Sequence, residues 1–100
     1  GQLPTAIKIR GNRAYVVNGG SNNIQIFDLD QNPPSQVGTI AVPPGSNPFD
    51  ITFLDNTRAY VPNYAGQSVA VVNVQTRVCE VLIVEAGHSG DTQPCQAVQV

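Results

Sequence analysis

Three residues of one loop, His88, Ser89 and Asp91, are of the types that form the catalytic set of many hydrolases. Such sets normally assemble from segments that are distant in sequence, because neighbours in one loop rarely point at a common atom. We therefore interpret the stretch 86–93 as a solvated loop without a catalytic role. His88 and Asp91 are the only side chains there that we retain as ligand-binding candidates.

Two cysteines, Cys79 and Cys95, could form a disulfide or remain reduced. The strand assignment given below puts Cys79 at the start of an outermost strand and Cys95 at the start of the next innermost strand. A strand of that length spans roughly 20 Å at about 3.3 Å per residue, whereas bonded cysteines need Cα atoms within about 7 Å. The sequence therefore favours unpaired cysteines, with a disulfide as the alternative. Two cysteines alone are too few for a structural zinc site.

Two carboxylates, Asp28 and Asp30, flank Leu29 and should point to the same side of a strand. Carboxylate oxygens are ligands for Ca²⁺, so a calcium site is one interpretation. The other is a solvated pair at the entry to a turn, next to Gln31 and Asn32. We favour the second, because no further oxygen ligands are evident nearby, and we predict neither a metal nor another cofactor.

The composition indicates the kind of fold that must position these residues. Valine is the commonest residue, charged residues make up only 12% and the net charge is −2. Such β-branched, weakly charged sequences favour strands over helices, and no helical periodicity extends over three turns. The apolar content excludes a disordered chain, and no apolar run has the roughly 20 residues of a membrane span. One Lys and four Arg argue against a basic nucleic-acid-binding face.

The chain repeats itself at a spacing of about 45 residues. The segment Arg13–Asn18 returns as Arg58–Asn63 with five of six residues identical. A Pro-led alternating segment occurs three times, beginning at Pro4, Pro48 and Pro94. Repeats of this length usually indicate an array of similar structural units. We assign repeat 1 to residues 4–47, repeat 2 to 48–93 and the start of a third repeat to 94–100, all in one segment, 1–100.

Each repeat is predicted to contain four short antiparallel strands. They are Ala6–Ile9, Ala14–Asn18, Asn23–Leu29 and Gln36–Val42 in the first repeat, and Ile51–Leu54, Ala59–Asn63, Ser68–Val74 and Val78–Val84 in the second. Apolar residues fall on both faces of such sheets, so each face needs a covering layer. Four-stranded units at this spacing are typical of β-propeller blades. The predicted fold class is all-β, with two four-stranded antiparallel propeller blades plus the first strand of a third.

The recurring strand resembles the YVTN-type β-propeller repeat. Its Tyr-Val-x-Asn core occurs as Tyr15-Val16-Val17-Asn18 and Tyr60-Val61-Pro62-Asn63, with the usual Thr replaced by Val17 and Pro62. The Gly- and Pro-containing link of the family is matched by Pro44-Gly45-Ser46-Asn47-Pro48. Pro62 lacks an N–H donor, so we expect it at a strand end or where its nitrogen faces no partner.

The resemblance implies a scaffold, since members of this family are common as secreted or cell-surface proteins, including surface-layer proteins. The two cysteines and the many uncharged polar residues are also compatible with a periplasmic setting, so the predicted location is secreted, cell-surface or periplasmic. The implied function is non-catalytic, structural or interaction-based, with an unknown ligand. Related propellers also form the body of lactonases and redox enzymes. The alternative is therefore part of a propeller enzyme whose active residues lie on other blades, because fold alone does not decide function.

The chain of 100 residues holds only two complete repeats, and this leads to a prediction about partners. Complete propellers have about 4–8 blades, and two blades alone leave two apolar faces without a cover. The missing blades must come from a longer parent chain or from other copies of this chain. A ninth strand, Pro94–Val100, would compete with Pro4–Ile9 of a neighbouring copy for one place. The strand count therefore favours a piece of a longer array, with self-assembly into a ring as the alternative.

Overall fold

A computed structural model describes residues 4–43, 45–64, 68–84 and 95–99. Regular structure in these ranges consists of strands, as the sequence predicts. They are β1 (Pro4–Arg10), β2 (Arg13–Asn18), β3 (Asn23–Asp28), β4 (Ser35–Ala41), β5 (Thr52–Phe53), β6 (Arg58–Asn63), β7 (Ser68–Asn73), β8 (Val78–Val84) and β9 (Gln96–Gln99). Among the described residues, no helix is long and apolar enough to cross a membrane.

The strands form two sheets that follow the two sequence repeats. The first sheet has the order β1-β2-β3-β4, and the second has β5-β6-β7-β8 with β9 added beyond β8. Neighbours within each set of four are antiparallel. Both sheets carry an irregularity at the same place, between Ile26 and Phe27 and between Val71 and Val72. The four-strand repeat predicted from the sequence is confirmed, although β5 is shorter than expected.

Pro62 occupies the place that its missing N–H requires. Its carbonyl oxygen accepts a hydrogen bond from the Phe49 N–H at 3.1 Å, on the side of β6 away from β7. In a strand, the nitrogen and carbonyl of one residue point to the same side. The Pro62 nitrogen therefore faces the segment before β5, where the ladder between β5 and β6 does not extend.

The two sheets stack face to face and share one core. Alternation along each strand separates two faces, and the core is formed where one face of the first sheet meets one face of the second. Its buried members are Tyr15, Val17, Ile24, Ile26, Ile40, Val42, Ile51, Ala59, Val61, Ala70, Val72, Val74, Cys79, Leu82, Val84 and Cys95. The rings of Tyr15 and Phe53 meet across this interface edge to face, with centroids 4.8 Å apart.

The sheets use unlike faces for this contact. Tyr15 of the first sheet is buried against the second sheet, whereas Tyr60, its counterpart in the repeat, lies on the far side of the second sheet and is 37% exposed. Ala59 of the second sheet is buried at the interface, whereas its counterpart Ala14 lies on the outer side of the first sheet. Both sheets therefore face in the same direction along the stack.

The ninth strand corrects two predictions. It does not begin a third sheet but pairs in parallel with β8, with Gln96 opposite Val81 and Gln99 opposite Val84. Cys79 and Cys95 are joined in a disulfide with a Cα–Cα distance of 5.0 Å. The expectation of unpaired cysteines was wrong because it placed Cys95 on an innermost strand. Here the segment returns beside β8, so both cysteines lie at the same edge of the second sheet.

Candidate interaction surface

The residues predicted to carry chemistry are not brought together by the described structure. His88 and Asp91 lie outside the described residues. Asp28 accepts a hydrogen bond from the Asp30 N–H at 2.9 Å, and Asp30 accepts one from the Asn12 side chain. The Asp28 carboxylate thus stabilises the turn after β3, and the Asp30 carboxylate joins that turn to the turn between β1 and β2. Within the described ranges, no three His, Cys, Asp or Glu side chains lie close enough together to hold a metal ion.

The surfaces that stand out are the outer faces of the two sheets. We name the outer face of the first sheet the Asn18 face, formed on β1 and β2 by Ile7, Ile9, Ala14, Val16 and Asn18 and on β3 and β4 by Gln25, Phe27, Gln36 and Thr39. We name the outer face of the second sheet the Tyr60 face, formed by Tyr60, Pro62, Val69, Val71, Val81 and Ile83.

The Tyr60 face is apolar across the middle of the sheet. Val69, Val71, Val81 and Ile83 are only partly buried, and Tyr60 projects beside them. Toward the turns at one end, this face ends in an ion pair between Arg58 and Glu80, with Nε and Oε1 2.7 Å apart. A continuous apolar face of this kind normally marks a place where another surface packs.

The Asn18 face has two unlike halves. On β1, the side chains of Ile7 and Ile9 are 59% and 67% exposed. Across β2 to β4, four polar side chains form a hydrogen-bonded row, which we name the amide relay. It consists of the bonds Asn18 Nδ2 to Gln25 Oε1 at 2.9 Å, Gln25 Nε2 to Gln36 Oε1 at 3.1 Å and Gln36 Nε2 to Thr39 Oγ1 at 2.7 Å.

The asparagine of the recurring Tyr-Val-x-Asn segment closes the turn that follows it. The Asn18 side chain donates to Asn23 Oδ1 at 3.0 Å, and the Asn63 side chain donates to Ser68 Oγ at 3.0 Å. Each bond joins the end of one strand to the start of the next. Both asparagines are buried, so a residue that lacked the amide would leave these partners without their donor.

At one end of the stack, the link between the sheets packs on the β2–β3 turn. Asn47 N–H donates to Asn22 Oδ1 at 2.9 Å, and Thr5 Oγ1 donates to the Pro48 carbonyl at 3.0 Å. Gly19 permits this approach, because a Cβ there would lie 2.6 Å from Asn47 Oδ1. The corresponding place on the second sheet carries Phe49 and Tyr64, whose rings pack edge to face at 6.2 Å.

The opposite end of the stack is polar and charged. Hydrogen bonds from the backbone N–H groups of Thr57 and Arg58 lower the pKa of Asp55 below its usual value. A side-chain hydrogen bond from Arg58 lowers the pKa of Glu80, and the same bond raises the pKa of Arg58. Asp55, Arg58 and Glu80 are charged at neutral pH. Asp55 stabilises the β5–β6 turn, and the Arg58–Glu80 pair joins β6 to β8.

The amide relay and the exposed β1 isoleucines were not singled out from the sequence. A signal for them exists in the repeat itself. Gln25 aligns with Ala70, and Ile9 aligns with Phe53, so a position-by-position comparison of the repeats identifies where polarity changes. Which of these positions lies on an outer face follows only from the stacking of the two sheets.

Comparison with protein-family models finds no match to this chain, and comparison with curated proteins finds none either.

Proposed function

We propose that the chain is a segment of a β-propeller of the YVTN type that serves as a non-catalytic scaffold for structural or binding contacts. The observation that carries this proposal is the stacking of two four-stranded repeats through unlike faces. Sheets that all face the same way can be added one after another, which is how blades follow each other around a propeller. The repeated Tyr-Val-x-Asn segments support the same family.

We further propose an exported location: secreted, cell-surface or periplasmic. Disulfides persist in oxidising compartments and are rare in the cytosol, and Cys79 is bonded to Cys95. Both cysteines are buried, at 6% and 1% exposure, so the bond is also shielded from reductants. Thiol titration of the unfolded protein, purified from its native source without reductant, should detect no free thiol.

Enzymatic assays test the scaffold proposal. The whole protein is incubated with lactones, and separately with amines plus a quinone acceptor, and turnover is compared with that of buffer. We expect no turnover above the buffer rate. Turnover that is lost in His88→Ala or Asp91→Ala, and retained in the neighbouring Gln93→Ala, would overturn the scaffold proposal in favour of an enzyme body.

A further inference from the structure

The exposed residues of the two outer faces correspond, position by position, to residues that are buried between the sheets. Tyr60 corresponds to Tyr15, which is 5% exposed. Ile9 corresponds to Phe53, the residue that Tyr15 contacts across the interface. Ile7 corresponds to Ile51, which is fully buried. The chain thus presents, on opposite sides, both halves of a contact that it already makes internally.

The same correspondence extends over the Tyr60 face except at Val81, whose counterpart on the interface side of the first sheet is Gly38. The interface side of the first sheet consists of Val17, Ile24, Ile26 and Ile40 beside Tyr15, and the Tyr60 face has Pro62, Val69, Val71 and Ile83 at the matching positions. Every one of these residues is apolar. The Tyr60 face should therefore pack on the Asn18 face of another copy, as the interface side of the first sheet packs on the interface side of the second sheet within one chain.

β9 does not occupy the position beside β5 and β6 where a further sheet would pack. That strand lies at the outer edge, next to β8, where the disulfide fixes Cys95 beside Cys79. The sequence had suggested that this strand and β1 of a neighbouring copy would compete for one position. Because β9 pairs with β8 at the opposite edge of the sheet from β5, it does not compete with β1 of a neighbouring copy.

We propose that the chain binds a second copy of itself head to tail, with the Tyr60 face of one copy packed on the Asn18 face of the next. Tyr60 lies against Ile7 and Ile9 of the second copy, as Tyr15 lies against Phe53 within one chain. The proposal rests on the proposed function, since it extends the same stack. It continues an existing interface and joins unlike faces, so it is a heterologous contact.

The amide relay sets the strength of this contact. It covers the β3 and β4 part of the Asn18 face, where the internal interface has apolar residues instead. Its side chains are bonded to one another, so covering them costs less than covering unbonded amides. They add little apolar area, however. Contact energy is therefore concentrated on Ile7 and Ile9, and association should be reversible and dependent on concentration.

The test uses two single-face variants of the whole chain, Tyr60→Asp and Ile9→Asp, studied by analytical ultracentrifugation. Both residues are exposed, so both variants should remain folded, which circular dichroism and thermal unfolding will check. Each charge should weaken self-association by more than about tenfold, as expected when a central anchor residue is lost. Gln75→Asp is the matched control, because Gln75 is exposed in the turn between β7 and β8 and belongs to neither face.

Mixing the two variants gives the decisive result. Each variant keeps one intact face, so the mixture should form a dimer and nothing larger, although each variant alone is monomeric. A folded wild-type chain that stays monomeric at millimolar concentration would overturn the proposal. So would a Tyr60→Asp variant that loses association while Ile9→Asp keeps it, because that pattern indicates contact between like faces. Neither result depends on enzymatic turnover, so failure here is distinct from failure of the scaffold proposal.

Discussion

The interface side of the second sheet and the Asn18 face of the first sheet occupy the same position in the repeat but differ in polarity. The interface side has Ala70, Cys79 and Leu82 where the Asn18 face has Gln25, Gln36 and Thr39. The first set is buried beneath the first sheet, and the second set forms the amide relay in contact with solvent. Each face is thus matched to what covers it, while the backbone pairing stays the same.

The largest expected difference between the two regions is at the paired tyrosines. Tyr15→Ala should lower the free energy of unfolding by about 3–5 kcal/mol, because it removes a buried aromatic ring and leaves a cavity. Tyr60→Ala should cost less than about 1 kcal/mol at low protein concentration, because that ring is partly in solvent. Urea unfolding monitored by circular dichroism measures both. Equal losses for the two variants would contradict the burial difference.

The disulfide distinguishes the edge of the second sheet from that of the first. Replacing both Cys79 and Cys95 by Ala should lower the free energy of unfolding by about 3 kcal/mol, since the bond closes a loop with a sequence separation of 16 residues. Hydrogen exchange should then show faster exchange of amides within 96–99, with little change in β4. Retained protection at β9 would show that strand pairing alone fixes it. Wild-type protein in reductant serves as the control.

Placing a polar residue on the interface side of the second sheet, and an apolar residue on the Asn18 face, tests whether each face is matched to what covers it. Leu82→Thr should cost about 2 kcal/mol, because it removes apolar contacts and buries a hydroxyl group. The reverse change, Thr39→Leu, should alter stability by less than about 0.5 kcal/mol, since position 39 is exposed. Sedimentation should show that Thr39→Leu tightens self-association. A large loss of stability in Thr39→Leu would mean that the relay is structurally required.

The smallest effect concerns pH and the charged end of the stack. The pKa values of Asp55 and Glu80 are both lowered on folding. Their contribution to stability is therefore fully present above the pKa of an unfolded carboxyl group and is lost as the pH falls through the lowered values. Unfolding curves between pH 7 and pH 2 should show this decrease. Asp55→Ala should make the curve shallower, and an unchanged slope would argue against the turn hydrogen bonds.

The strands were predictable from the sequence because their signals are local. Alternating apolar residues set off by turn residues located all nine described strands to within two residues at each end. The duplicated Arg13–Asn18 segment showed that the first eight form two similar units. The disulfide was not predictable by the same reasoning, because it depends on the strand beside which residues 96–99 pair. That choice is made by long-range contacts, which the spacing of Cys79 and Cys95 does not record.

The candidate surface was predictable only in part. Two uncovered faces follow from counting repeats, but their unequal polarity follows from which face of each sheet is turned inward. Alternation along β3 separates Ile24 and Ile26 from Gln25 without saying which side meets the second sheet. His88 and Asp91, which the sequence suggested as ligand-binding candidates, lie outside the described residues and remain a prediction.

Nuclear Overhauser measurements on dilute protein test the stacking of unlike faces most directly. The ring protons of Phe53 should show strong contacts with those of Tyr15, since their centroids lie 4.8 Å apart. Tyr60 should show no contacts with the first sheet of its own chain. If Phe53 lacks the contact with Tyr15, and Tyr60 instead contacts Ile24 or Ile26 within one chain, the two sheets do not face the same way and the account is wrong.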